Sequence, residues 1–311
     1  MEHIIGNHAE QFHIKNTAIA LGKFDGIHKG HQIILHHLQK EIQKKENPSE
    51  RKSLVFTFST HPDTVLKGEG QKMIYTSSER AFYMEKLGVD ILVEYPFTEA
   101  FSMMSAKDFV TEILVKKLDG KMLLVGEDFQ FGTGRKGDVA LLKELGQIYD
   151  FEVQVFEKLK TRDEIISSTN IRCLLEEGHL DRANNLLGEP YFVYGEIVSG
   201  KQLGHLIGFP TANQMIPHEK ITPVFGVYES RVEIEDQVYK GISNLGMKPT
   251  IEGERPLGLE TYILDFDEYI YHQNIKVSLL RFIRKEVKFD SVEALKRQVE
   301  EDLRSLRCIL K

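Results

Sequence analysis

The sequence predicts an α/β protein in two parts: an N-terminal open parallel sheet covered by helices, then a compact antiparallel barrel or sandwich with a terminal helix. Three observations lead there. The 311 residues are about twice the usual single-domain size, so each part is long enough for its own core. Short apolar segments alternate with helical stretches five times in the first half, as an open α/β sheet requires. Past residue 190 the apolar segments become short, alternating and separated by turn residues, the pattern of antiparallel structure.

Taken in order, strands are expected at 17–21, 53–58, 90–95, 121–125 and 151–156. Most are apolar on both faces, because helices cover both sides of a parallel sheet. Helices are expected between them at 31–44, 78–87, 106–118 and 139–149, the third opening on Ser105 with Asp108 three residues later, a capping-box spacing. A helical pair at 170–177 and 180–187 ends in Gly188-Glu189-Pro190. That breaker sets the boundary between a domain of residues 1–187 and one of residues 188–311. Strands follow at 191–198, 227–234, 238–243, 259–264 and 276–282, and Asp290 with Glu293 opens a last amphipathic helix to about residue 306.

Composition narrows the function classes. Hydrophobic residues make up 41% and charged residues 28%, ordinary soluble usage that excludes a disordered or fibrous chain. No run approaches the ~18 apolar residues of a membrane span. The start carries acids (Glu2, Glu10) and no apolar block behind basic residues, so no secretory signal is read and a cytoplasmic location is expected. Two cysteines, Cys173 and Cys308, are too few for a disulfide scaffold or a cysteine zinc site. Net charge is −7, with 24 basic against 29 acidic residues over 1–190 and 16 against 18 over 191–311. Neither half has the basic excess of a nucleic-acid binder, so small-molecule partners are expected and neither nucleic acid nor membrane is.

In open α/β sheets ligands bind beyond the C-terminal strand ends, which directs attention to the loops after Leu21, Phe58, Val125 and Phe156. The first strand runs into Gly22-Lys23-Phe24-Asp25-Gly26-Ile27-His28-Lys29-Gly30-His31. A bare His-x-x-His carries little weight in a chain with 12 histidines, whereas glycines at 22, 26 and 30, where a strand hands over to a helix, carry much more. The logic is phosphate binding. Gly30 lets the backbone come close, and the helix N-terminus offers free N–H groups and a positive dipole end. His28 and His31 can donate hydrogen bonds to charge building on a transferring phosphate. A turn with a capping histidine is the plainer alternative. After the fifth strand, Ile166-Ser167-Ser168-Thr169-Asn170-Ile171-Arg172 places hydroxyls at a helix start and an arginine one turn in. This suits a second polyphosphate clamp, although by itself it reads as an N-cap.

These segments, with Phe58-Ser59-Thr60-His61-Pro62 and Gly126-Glu127-Asp128-Phe129-Gln130-Phe131-Gly132 between them, stand in the order found in prokaryotic bifunctional riboflavin kinase/FAD synthetase. The resemblance continues through Gly208-Phe209-Pro210-Thr211-Ala212-Asn213 and covers nearly the whole chain. It implies a Rossmann-like nucleotidyltransferase domain in which FMN phosphate attacks the α-phosphorus of ATP and pyrophosphate leaves, followed by a riboflavin kinase β-barrel. By that likeness His28 and His31 are catalytic, and Gly22, Phe24, Asp25, Gly30, Ser168, Thr169 and Arg172 bind nucleotide. His61, Asp128, Phe129 and Phe131 line the flavin side. Core packing is the alternative for the two phenylalanines, and Thr60 departs from the family's usual proline.

In the second domain the resemblance makes Gly208, Pro210 and Thr211 nucleotide contacts, with Thr211 and Asn213 as oxygen ligands for Mg²⁺. A proline-fixed turn holds the two oxygens on the same side, two residues apart, and a turn with an Asx cap is the plainer alternative. Glu260 matches the family's catalytic glutamate, taking the proton of the ribityl 5′-hydroxyl as it attacks the γ-phosphate. The segments 244–250 and 284–289 also match, and the latter makes Arg284 and Phe289 contacts of a flap over the flavin. Leu203-Gly204-His205 stands where the family often has Arg-Gly-Arg, so kinase activity is expected to be present but open to weakening. The implied substrates are ATP, riboflavin and FMN, and the product is FAD. Two alternatives stand beside this reading: an adenylyltransferase with a weakened kinase domain, and a flavin-binding regulator without turnover.

Overall fold

A computed structural model describes residues 1–6, 14–44, 51–60, 62–68, 70–161, 164–199, 209–248 and 256–308. Contacts divide the chain into two compact units, Met1–Ser168 and Thr169–Lys311.

The first unit holds a six-stranded parallel sheet: β1 (Glu2–Ile5), β2 (Thr17–Leu21), β3 (Lys52–Phe58), β4 (Ile91–Tyr95), β5 (Gly120–Gly126) and β6 (Glu152–Phe156), in the order β1-β4-β3-β2-β5-β6. Every residue of β2 and β4 is buried, which explains their mostly apolar sequences, and the one charge among them, Glu94, is paired. The helices are α1 (Lys29–Gln43), α2 (Pro62–Lys67), α3 (Ser77–Lys86), α4 (Glu99–Ser102), α5 (Ala106–Asp108) and α6 (Val139–Tyr149). The chain of α5 continues as a π-helix over Phe109–Lys117. The expected parallel sheet is therefore present, with β1 as a sixth strand that the sequence reading did not include.

Local chemistry accounts for the helix starts. Thr76 and Glu79 form a reciprocal capping box on α3. Ser105 caps α5 by accepting from Asp108 N at 3.0 Å, while its hydroxyl donates to Asp108 Oδ2 at 2.6 Å. The core on one sheet face is an aromatic cluster in which Phe56 meets Phe58, Tyr95 and Phe109 at ring separations of 5.7–5.9 Å. Within the same unit, Arg80 and Glu94 form a fully buried ion pair at 2.9 Å, with Ser77 Oγ donating to Glu94 Oε2.

The second unit opens with α7 (Ser168–Glu176), which starts at the junction, and α8 (Leu180–Leu187), closed by Gly188 in the left-handed conformation. Six antiparallel strands follow: β7 (Phe192–Glu196), β8 (Thr211–Ile216), β9 (Gly226–Ile234), β10 (Gln237–Met247), β11 (Leu257–Ile263) and β12 (Asn274–Arg284). Their order is β7-β12-β9-β10-β11-β8. The two end strands meet: Val198 bridges Asn213, and Gln214 Nε2 donates to Gly195 O at 2.9 Å. That closure selects the barrel over the sandwich. The terminal helix α9 (Val292–Cys308) is present as expected.

Candidate active sites

The first candidate site grows from the C-terminal end of β2. Its loop is held from three directions: Thr57 Oγ1 donates to Lys23 O at 2.7 Å, Asp25 Oδ1 accepts from Ile74 N at 2.8 Å, and Ser168 Oγ donates to Asp25 O at 2.8 Å. Asp25 and Phe24 are completely buried. Both therefore shape the loop from within. Phe24 and Ile27 have φ values of 45° and 41°, a left-handed conformation that non-glycine residues adopt only when their surroundings impose it.

His28 sits at the N-cap of α1, where its Nδ1 accepts from His31 N at 3.4 Å. That bond fixes the tautomer, because an accepting Nδ1 leaves the proton on Nε2. The His31 ring stacks on His28 at 3.7 Å and 15°, and meets Phe24 at 5.0 Å in a tilted contact. Burial pushes the His28 pKa down to about 4. Burial, and then the neighbouring imidazole, hold His31 well below its ordinary value. Two stacked neutral rings are thus the resting state, and His31 Nδ1 is buried with no hydrogen-bond partner. Gly30 lies against this pair: a Cβ there would come 3.2 Å from the His28 ring. The capping reading and the phosphate reading hold together, since the cap aims the imidazole.

The other residues expected here fall into three groups. Ser168 touches the loop as described, while Thr169 is exposed and Arg172 buried, both on α7. After β5, Asp128 is exposed and paired with Lys158 at 2.8 Å. Phe129 is half-buried and stacked on Phe131 at 5.5 Å, and Phe131 is in the core against Phe109. His61 lies outside the described residues.

The second candidate site lies on the outer face of the barrel. Along β11 the buried residues Leu257, Leu259, Thr261 and Ile263 point inward, leaving Gly258, Glu260 and Tyr262 outside. Strand register sets Glu260 opposite Asn213 of β8 on one side and Asn244 of β10 on the other, and Tyr262 opposite Thr211. Thr211 and Asn213 are thus brought beside Glu260. Pro210 is exposed at the start of β8, and Phe209 packs edge-on against Tyr262 at 5.2 Å. Gly208 and the 203–205 stretch lie outside the described residues.

Lys248 is the residue that sequence reasoning passed over. Its Nζ lies 2.7 Å from Glu260 Oε1 and 2.9 Å from Asn213 Oδ1. Burial lowers its pKa, and the Glu260 carboxylate opposes that shift. It stands twelve positions before Glu260, at the end of a different strand, so no local spacing reports the pair. Arg284 makes a two-pronged ion pair with Asp302 of α9 at 2.8–3.1 Å and lies 5.9 Å over the Phe289 ring. In this arrangement it straps the terminal helix to the barrel, with the expected flap residue Phe289 beside it.

Asn213 Oδ1 already accepts from a cationic group, and the neighbouring groups offer oxygen, so the donor set fits Mg²⁺. Among the described residues no group of three His, Cys, Asp or Glu side chains could hold a metal unaided. A metal here would take the rest of its shell from phosphates and water.

Comparison with known proteins gives a consistent picture. A family model described as FAD synthetase matches residues 10–170, and one described as riboflavin kinase matches residues 187–310. A bifunctional riboflavin kinase/FMN adenylyltransferase from Haemophilus influenzae is 34% identical, covering 99% of this chain and 98% of its own. One from Listeria monocytogenes is 35% identical over 94% and 92%. A crystal structure from Streptococcus pneumoniae, described as a macrolide-efflux protein, superposes with a TM-score of 0.81 at 30% identity and 99% coverage of both chains. Among the described residues, no helix of the present chain is long and apolar enough to cross a membrane. Two matched models in tandem, and relatives aligned end to end, place the chain in the bifunctional riboflavin kinase/FMN adenylyltransferase family.

Proposed function

We propose that the chain makes flavin cofactors in two ATP-dependent steps. Riboflavin and ATP give FMN and ADP on the barrel, and FMN and ATP give FAD and pyrophosphate at the parallel sheet. The stacked, neutral His28–His31 pair at the head of α1 carries the second half of this reading. Adenylyl transfer needs no covalent enzyme intermediate, so catalysis rests on positioning and on donors aimed at developing charge. His28, with its proton on Nε2, and His31 act as those donors toward the α-phosphate and leaving group. Gly22 and Gly30 give the backbone room, and Phe24 and Asp25 fix the loop. Ser168, Thr169 and Arg172 hold the triphosphate. His61, Asp128, Phe129 and Phe131 are assigned to the flavin side, Phe131 by backing Phe129.

In the kinase step Glu260 takes the proton from the ribityl 5′-hydroxyl as that oxygen attacks the γ-phosphorus. Gly208, Pro210 and Thr211 bind the nucleotide, and Arg284 and Phe289 border the flavin. Thr211 and Asn213 would hold Mg²⁺, which supplies charge neutralisation for the phosphates. The adenylylating domain is assigned to 1–187 and the kinase domain to 188–311; the riboflavin kinase match from residue 187 and the Gly188 helix end support that boundary, whereas the FAD synthetase match ends at residue 170 and the contact division falls after Ser168. The partners are small molecules, and the work belongs in the cytoplasm, where ATP is supplied.

Chromatography of flavin products tests the whole reading. The purified chain with ATP and Mg²⁺ should convert riboflavin to FMN and FAD, and added FMN to FAD. Conversion of FMN alone would refute the kinase half, and absence of FAD from both substrates would refute the other.

A further inference from the structure

On the outer barrel face Lys248 reaches sideways across two strands. Its stem passes over Gly258, where any Cβ would collide with Lys248 Cε, and its ammonium arrives between Glu260 and Asn213. Gly258 faces Gly246 in the β10–β11 register, and a Cβ on Gly246 would collide with the Glu286 carboxylate. The lysine stem and Glu286 therefore lie over two facing glycines, charge beside opposite charge. Asn244, opposite Glu260, donates through Nδ2 to Glu286 Oε1 at 3.1 Å, while its buried Oδ1 has no hydrogen-bond partner. Oxygen acceptors outnumber donors at this spot, which suits a cation, and the cation present is the chain's own.

We propose that Lys248 is a positioning residue of the kinase site: an internal cation that ties Glu260 to Asn213 until nucleotide-borne Mg²⁺ enters, and then moves away toward Glu286. The inference rests on the kinase reading given above. Mg²⁺ binds its oxygens at about 2.0–2.1 Å. An ammonium already 2.9 Å from Asn213 Oδ1 on the Glu260 side takes up that space and repels the incoming charge. Its departure also releases Glu260, so the base is free only when nucleotide is loaded. Glu286 offers the released ammonium a new partner within the reach of a lysine side chain.

A crystal structure of the full chain with Mg²⁺ and ADP tests this without turnover. Mg²⁺ on Asn213 with Lys248 Nζ withdrawn toward Glu286 is the expected result. Mg²⁺ on Asn213 with Nζ still bridging overturns the proposal but leaves the kinase reading intact. Mg·ADP bound away from Thr211 and Asn213 overturns both. In solution, Lys248→Met should lower the Mg²⁺ concentration for half-maximal FMN formation by about fivefold, the scale of a half-exposed ion pair. Glu286→Gln should raise it. Hydrogen-exchange protection of the barrel strands β9 and β10 on the same samples controls for folding of this unit. An unchanged Mg²⁺ requirement in both variants, with that control intact, overturns the exchange.

Discussion

His28→Asn isolates the resting charge state of the first site. Asparagine keeps a side-chain oxygen at the N-cap, so helix α1 retains its start while the titrating ring is lost. His28 is 7% exposed and its folded pKa is about 4, against 6.5 in the open chain. Below about pH 6.5 the unfolded chain takes up a proton that the folded one refuses, so stability falls as pH falls through this window. The full shift is worth about 3 kcal/mol, of which about 2 kcal/mol is lost by pH 5 and almost none at pH 7.5. Other groups titrate over the same range, so the informative quantity is a double difference: the pH 7.5 to 5 loss in the parent minus that in His28→Asn. Hydrogen exchange in the fully buried strand β2, corrected for intrinsic rates, reads it for this unit alone. A double difference of about 2 kcal/mol is expected. A value near zero would mean that His28 is hydrated or already charged, and the argument for two neutral stacked rings would fail.

Three further outcomes follow from the geometry. Glu260→Gln should slow FMN formation by about 10²–10⁴-fold and leave FMN-to-FAD conversion intact in separate product assays, because the two chemistries use different residues. Glu94→Leu should cost the first unit about 3–5 kcal/mol in urea unfolding, since it strands the buried Arg80 guanidinium without its partner. Asp25→Ala should destabilise the same unit by about 1–3 kcal/mol by orphaning the buried Ile74 N–H, and should lower FAD formation more than FMN formation.

Fold legibility followed burial. Strand β2 was read from Thr17 to Leu21 because five small or apolar residues buried on both sides admit no other pattern. Strand β1 was missed because Glu-His-Ile-Ile at a sheet edge pairs only with β4 and carries no alternation strong enough to stand out. The 106–118 helix was placed correctly as a helical stretch, but its π register over Phe109–Lys117 depends on hydrogen-bond offset, which side-chain periodicity cannot report. Helix α1 begins at Lys29 rather than residue 31, since the cap is the histidine itself. β8 was read as a turn carrying two oxygens; it is the strand that closes the barrel, and closure between β7 and β8 is a tertiary event. The site histidines were legible because glycine and histidine spacing is local. Lys248 and the strap from Arg284 to Asp302 were not, because each joins separate elements.

The two sites treat charge in opposite ways, and physical chemistry connects each choice to its task. At the sheet, burial keeps His28 neutral, and burial with the neighbouring imidazole keeps His31 neutral, so the resting ring pair carries no charge. In the proposed reading, a polyphosphate entering there would favour protonated imidazole, so the pair would gain charge together with its ligand. At the barrel, the base is a carboxylate that would otherwise stand exposed beside other oxygens, and an ammonium neutralises it. In the proposed exchange an incoming cation would compete with the resident one there, so metal loading and release of Glu260 would be one event. Left-handed Phe24 and Ile27, held by Asp25 and Thr57, and the glycine bed under Lys248 are the backbone conditions for these arrangements. A side chain added at Gly30 or Gly258 therefore acts on chemistry through geometry: the first would press on the His28 ring, and the second would evict the lysine from Glu260.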